Sequence, residues 1–298
     1  ATTESLMELA IGMGNLTHDL QIERGSTAGF IQSRGNKFAA DLPGYRANTD
    51  QQLKALQAIY QQTRQQGIPP QLQQSIEATF TALQQLPETR SAASAFGIPA
   101  AEASAYFTRT IATLLGNIPA ITEQTSHLTL IKRMAGYLAF LQAKERTGQE
   151  RALLVPVFTA DIIEPAQFRA FIGHVSAQQS YLGIFNGYAT DDLRTLMQQK
   201  NGNEIAATVE SMRKTVMDKA ASGGFGIEPT SWFKAITDRI NDMRDVEIML
   251  TQQIKSSASA LAQQARTTML LNSAASLVTL TLTLALGWWI AHGIIRPI

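Results

Sequence analysis

One uncharged stretch near the C-terminus constrains this chain more than any other feature. Asp, Glu, Lys and Arg are all absent from residues 267–295. A helix of this length spans the ~30 Å hydrocarbon core of a bilayer, and Trp288 and Trp289 lie where an interfacial aromatic belt is expected. Arg296 follows at once as a cytoplasmic anchor. A buried core helix is the alternative, but so long a stretch without a charge favours a transmembrane helix over residues 266–295.

The rest of the chain, residues 1–265, has the composition of an all-α, extracytoplasmic domain. Aromatic residues make up 7% of the sequence, alternation of β-branched residues is almost absent, and there is no cysteine. A net charge of +1 without a basic block argues against a nucleic-acid partner. Short Pro/Gly loops between amphipathic segments predict two stacked antiparallel helical bundles that share long helices, the last of which continues into the transmembrane helix.

Apolar spacing and Pro/Gly punctuation set the expected helix boundaries. The first helix is expected over residues 4–33, and a loop at residues 42–45 precedes the second. A long helix in the middle of the chain is expected over residues 119–155, where Pro156 ends or kinks it. From Pro229 onward no break appears before the transmembrane stretch, and we expect a further transmembrane helix to precede the first residue.

Three arginines lie on the apolar faces of predicted helices: Arg24, Arg151 and Arg213. A guanidinium stays charged at any accessible pH, so each one needs an anionic partner. One interpretation is a set of buried salt bridges to nearby acids. The other is a cavity in which arginines from separate helices bind a small planar oxyanion, and the small residues that directly follow Arg24 favour such a pocket. The candidate acids are Glu23, Glu145, Glu150 and Glu210.

The sequence offers little other chemistry. The histidines show no metal-ligand spacing, no phosphate-binding loop follows a strand, and no nucleophile, base and acid stand together as a catalytic set. We therefore expect a protein that is not an enzyme and that has no metal site and no cofactor. The histidines are His18, His127, His174 and His292.

Three sequence blocks occur in a characteristic order: QIERG at residues 21–25, KERTGQERALL at 144–154, and SWF at 231–233 followed by DRINDMRDVE at 238–247. Together they resemble the signature blocks of the NIT domain, the nitrate- and nitrite-sensing module of bacteria, over roughly residues 5 to 260. The resemblance implies two stacked four-helix bundles with a ligand site built on arginines.

That resemblance makes Arg24 and Arg151 ligand contacts, whereas Arg213 lies outside the blocks and rests only on its position in an apolar stripe. The expected ligand is nitrate or nitrite. A different small anion, a docking partner protein, or a structural stalk without a ligand remain alternatives.

The last six residues, 293–298, are similar to the junction at which a transmembrane helix enters a HAMP linker, which here starts at residues 296–298. This implies a bacterial inner-membrane receptor, surrounded by lipid, with a periplasmic sensor domain and a cytoplasmic output. We expect a homodimer, and we favour a chemotaxis transducer as the output over a histidine kinase or a cyclic-dinucleotide enzyme.

Overall fold

The computed structural model describes residues 2–295, so the expected HAMP start at residues 296–298, including Arg296, lies outside the described part. Within it the chain forms ten α-helices and no β-strand, and the prediction of an all-α helical-bundle fold is confirmed. The helices are α1 (Thr3–Gln32), α2 (Leu42–Gln65), α3 (Pro70–Leu83), α4 (Leu86–Ser94), α5 (Ala100–Thr122), α6 (Leu128–Ala160), α7 (Pro165–Tyr188), α8 (Asp191–Asn201), α9 (Glu204–Asp218) and α10 (Pro229–Ile295).

Two groups of helices make up the first compact unit, Ala1–Lys255. Helices α2, α4 and α5 pack against α1, and α3 packs against α5. Helices α7, α9 and the first part of α10 pack around α6. The second group encloses a core that includes Leu154, Phe171, Val216 and Trp232. The long helices α1 and α6 lie at the boundary and contact each other as well as their own groups.

Helices α1 and α6 run parallel along this boundary. Gly14 of α1 lies against Tyr137 of α6, and further along both helices Gly25 lies against Arg151. Because glycine has no side chain, both contacts bring a large group of α6 close to the α1 backbone. This close pairing places the polar residues in the second half of α1 opposite those in the second half of α6.

Two predicted boundaries differ from the structure. The expected loop at residues 42–45 is the first turn of α2, where Pro43 is tolerated because an N–H at that position has no partner within the helix. The long central helix begins at Leu128 instead of residue 119, and it passes through Pro156 to Ala160. Buried neighbours of Pro156 in the core of the second group keep the helix intact despite the hydrogen bond that a proline removes.

The second compact unit, Ser256–Ile298, contains the rest of α10. Among the described residues, one helix is long and apolar enough to cross a membrane by length and composition, Pro229–His292. Its most apolar 18-residue window has a mean hydropathy of 1.7, and none of that window is buried. The predicted division into residues 1–265 and a membrane segment at 266–295 stays a prediction.

Candidate functional site

Two of the three predicted arginines meet between α1 and α6. Arg24 of α1 lies over Gly148 of α6, where an added Cβ would be 2.8 Å from Arg24 Nη2. Arg151 of α6 lies over Gly25 of α1, where an added Cβ would be 2.6 Å from Arg151 Nη2. Each arginine thus crosses to the opposite helix over a glycine, and both are buried, with exposures of 2% and 5%. We call Arg24 and Arg151 the arginine pair.

Arg24 is held by a carboxylate of the neighbouring helix. Its Nη1 and Nη2 donate to Glu145 Oε1 and Oε2 at 2.6 and 3.1 Å, and Nη1 also donates to Thr108 Oγ1 at 2.8 Å. Gln21 and Gln149 donate to the same carboxylate, each at 2.8 Å. Burial by itself would raise the pKa of Glu145, but Arg24 and these donors outweigh it and lower the pKa. Glu145 is therefore ionised and neutralises Arg24.

Arg151 has only neutral partners. Its Nη1 donates to Thr237 Oγ1 at 3.0 Å, its Nη2 donates to the Gln21 carbonyl oxygen at 3.2 Å, and its guanidinium lies 5.0 Å from the centre of the Phe233 ring. No carboxylate oxygen of the described residues lies within 4.0 Å of it.

Burial lowers the pKa of Arg151 to about 10, the positive charge of Arg24 adds to the shift, and the negative charge of Glu145 opposes it. Even so, the group stays charged at neutral pH. A buried cation without a protein counter-ion fits the binding of an external anion.

The structure places Arg213 in a different environment. Its Nε and Nη2 donate to the two carboxylate oxygens of Glu150 at 2.7 and 2.5 Å, and its Nη1 donates to Glu210 at 2.5 Å. Gln178 accepts a further bond from Nη2 at 2.7 Å. These contacts are those of the salt-bridge alternative, so we do not include Arg213 in the site.

A second buried ion pair lies next to the arginine pair. Lys144 of α6 binds Glu247 of α10, and both side chains are fully buried. Arg244 also donates to Glu247, at 2.6 Å. His18 Nδ1 lies 3.5 Å from Lys144 Nζ, and burial together with the charges of Lys144 and Arg244 lowers the pKa of His18 to about 2. His18 is therefore a neutral imidazole, and α6 is tied to α10 beside the site.

Sequence reasoning identified the two arginines but missed most of their partners. Glu145 was one of four candidate acids, and Thr108 was not considered. Phe233 lies within one of the family sequence blocks, whereas Thr237 lies in none of them. Their spacing of four residues on one helix was an available signal, because it places both on the face of α10 that meets Arg151.

Comparison with known proteins places this geometry in a family. The model of the NIT family, described as nitrate and nitrite sensing, matches residues 15–255. The chain belongs to the NIT family. The resemblance noted in the sequence blocks is confirmed at this level.

Two relatives extend the comparison. The nitrate regulatory protein of Klebsiella oxytoca is 27% identical over 255 residues, and the match covers 86% of this chain and 64% of the relative. The chain thus spans under two thirds of that relative's length. The structure of the NasR transcription antiterminator is similar with a TM-score of 0.80 and 25% identity, over 88% of this chain and 70% of that one. Neither name refers to a membrane receptor, so a membrane-receptor context for this NIT domain does not follow from them.

Proposed function

We propose that this NIT domain binds nitrate or nitrite at the arginine pair, between α1 and α6. The observation that carries the proposal is the charge of Arg151, which is buried among neutral partners beside a second arginine. A planar oxyanion matches the fork of a guanidinium, because it accepts two parallel N–H bonds from it. The family description and the name of the Klebsiella relative support nitrogen oxyanions as the ligand class.

Binding at this position acts on three helices. An anion that bridges Arg24 and Arg151 offsets the repulsion between their charges and so favours arrangements in which α1 and α6 are close. Helix α10 follows, since Thr237 and Phe233 contact Arg151 directly. A ligand shifts such an equilibrium only through its different affinities for the two arrangements. We infer that a displacement of α10 is the signal.

We further infer a transmembrane receptor. The helix that contacts Arg151 is also the one that is long and apolar enough to cross a membrane. In this reading the domain is periplasmic, the protein is a homodimer in the bacterial inner membrane, and a HAMP linker leads to a cytoplasmic output, with a chemotaxis transducer ranked ahead of a histidine kinase. The role is sensory and not catalytic, and no nucleic-acid partner is involved.

Calorimetric titration of the full chain in detergent with potassium nitrate, nitrite and acetate tests the proposal. We expect saturable binding of nitrate or nitrite, and at least a tenfold loss of affinity in Arg151→Lys, which keeps the charge but not the fork. Arg109→Lys is the matched control, because it makes the same exchange at an arginine outside the site. A titration that detects binding of neither nitrate nor nitrite overturns the proposal. Binding of acetate alone points to a carboxylate receptor, and a melting temperature that no anion changes points to a structural stalk.

A further inference from the structure

Among the described residues, every buried charged side chain except Arg151 forms an ion pair with a side chain of opposite charge. In the part of the chain that the structure describes, each buried carboxylate lies beside a basic side chain. The pairs are Glu23 with Arg90, Glu145 with Arg24, Glu150 with Arg213, Asp242 with Lys200, and Glu247 with Lys144. Arg151 is the buried cation that this pairing leaves over. The positive charge of Arg151, which has no carboxylate in contact, lies at the arginine pair.

We propose that Glu145 sets the charge of the ligand: by neutralising Arg24 it leaves one positive charge at the arginine pair, so that the site binds a monoanion and rejects divalent oxyanions. This inference rests on the proposed function and deepens it. Glu145 then determines specificity, although the charge that balances the ligand is the positive charge of the arginines.

In a site removed from water, the net charge of the protein groups and the ligand together decides which anion binds. Two guanidinium groups and one carboxylate leave one positive charge, which a bound nitrate or nitrite neutralises. A bound sulfate would leave one negative charge, close to the carboxylate of Glu145. An uncompensated buried charge is strongly unfavourable, because the interior screens it poorly and water does not solvate it. Thr108 and Thr237 accept hydrogen bonds from Arg24 and Arg151, and because they are neutral they do not change this count.

The hydrogen bonds are consistent with Glu145 and the ligand being bound together. Arg24 Nη2 carries two hydrogens, and the contact with Glu145 Oε2 at 3.1 Å uses one of them. The same nitrogen lies over Gly148, on the side of α6 from which Arg151 crosses. Arg24 therefore keeps an N–H donor for a bound anion, and the positive charge of Arg151 balances the charge of that anion. Glu145 stays bonded to Arg24 when the anion binds.

The test compares potassium nitrate with potassium sulfate, at matched ionic strength, by calorimetry on the full chain in detergent. For the wild-type protein we expect nitrate binding at least tenfold tighter than sulfate binding. Glu145→Gln removes the negative charge with little change of shape, and we expect sulfate affinity to rise at least tenfold. Glu210→Gln is the matched control: it removes the charge of an acid that binds Arg213 and is 65% exposed, and we expect no change in selectivity.

Each outcome decides the proposal. Nitrate binding with equal affinity for sulfate in the wild-type protein overturns it, and this measurement stands even if Glu145→Gln fails to fold. A folded Glu145→Gln variant that binds nitrate but gains no affinity for sulfate also overturns it. In both results the proposed function survives. A wild-type protein that binds no nitrogen oxyanion overturns the inference and the proposed function together.

Discussion

Arg151 and Gly25 are in such close contact that no side chain fits between them: a Cβ on Gly25 would be 2.6 Å from Arg151 Nη2. Both residues lie within regular helices, so this glycine is required for the approach of a charged group and not for its backbone angles. The second contact of the arginine pair, between Arg24 and Gly148, repeats the arrangement in the opposite direction. Two glycines thus fix where the two guanidinium groups meet.

Gly25→Ala is expected to move Arg151 and weaken nitrate binding at least tenfold, because the new methyl group occupies the position of the guanidinium. The helix itself gains up to ~1 kcal/mol from the exchange, so lost stability does not explain such a result. Calorimetry and thermal unfolding measure the two effects. Gly116→Ala is the control, since Gly116 is an exposed position within α5 with no atom near its added Cβ. Unchanged nitrate affinity in Gly25→Ala would contradict the assignment of Arg151.

Replacing each arginine by methionine is expected to have unequal effects on stability. Arg24→Met leaves Glu145 as a buried, unpaired charge, and we expect the free energy of unfolding to fall by ~3–5 kcal/mol. Arg151→Met removes a buried charge that has no counter-ion, and we expect no loss of stability in anion-free buffer. Chemical denaturation followed by circular dichroism measures both. Equal losses in the two variants would mean that Arg151 has a counter-ion after all.

These partners explain how far the sequence alone predicts the site. Helical spacing is a local property, so it correctly placed Arg24, Arg151 and Arg213 on packed faces. It does not tell which acid each arginine meets, because the partner comes from a helix distant in sequence: Glu145 for Arg24 and Glu150 for Arg213. Helical spacing alone does not distinguish Arg151 from Arg213, although only Arg213 has a carboxylate in contact.

The helix boundaries show the same limit. Proline predicts a helix end, yet Pro43 lies in the first turn of α2 and Pro156 lies within α6. Pro43 removes no hydrogen bond of the helix, and at Pro156 the packing of adjacent core residues outweighs the lost bond. Long segments with unbroken periodicity, such as α1 and α10, were predicted to within a few residues because no competing signal interrupts them.

The neutral state of His18 predicts a dependence of stability on pH. Its pKa is lowered to about 2 in the folded protein, mainly by burial and then by the charge of Lys144, whereas an unfolded histidine has its ordinary value of ~6.5. Below ~pH 6.5 the unfolded chain binds a proton at His18 that the folded protein does not bind. The free energy of unfolding therefore decreases as the pH falls, by up to ~1.4 kcal/mol per pH unit for this group.

Thermal unfolding between ~pH 6.5 and ~pH 4.5 tests this expectation. His18→Gln removes the titrating group, so its melting temperature is expected to fall less steeply over this range than that of the wild-type protein. His127→Gln, which replaces an exposed histidine, is expected to keep the wild-type slope. Parallel curves for all three proteins would show that His18 is protonated in the folded state.

The transmembrane assignment predicts the effect of a charge in the middle of the apolar stretch. Leu282 is 65% exposed in the structure, and Leu282→Arg is expected to cost ~2.5–3.5 kcal/mol of insertion free energy while leaving the sensor domain intact. The fraction of expressed protein that stays in the membrane pellet after carbonate extraction should fall. Leu282→Val is the control and should remain in the pellet. Full retention of both variants would indicate that this stretch does not span the bilayer.

Lys144 and Glu145 are consecutive residues of α6, and their side chains bind different neighbours: Glu247 of α10 and Arg24 of α1. One peptide unit of α6 therefore links α1, which carries Arg24 of the proposed anion site, to α10, which leads to the apolar stretch. A slide of α6 by the rise of one residue, ~1.5 Å, would strain both ion pairs at once. If the proposed function holds, anion binding and the displacement of α10 need no chain of intermediate contacts, because adjacent residues of α6 contact both helices.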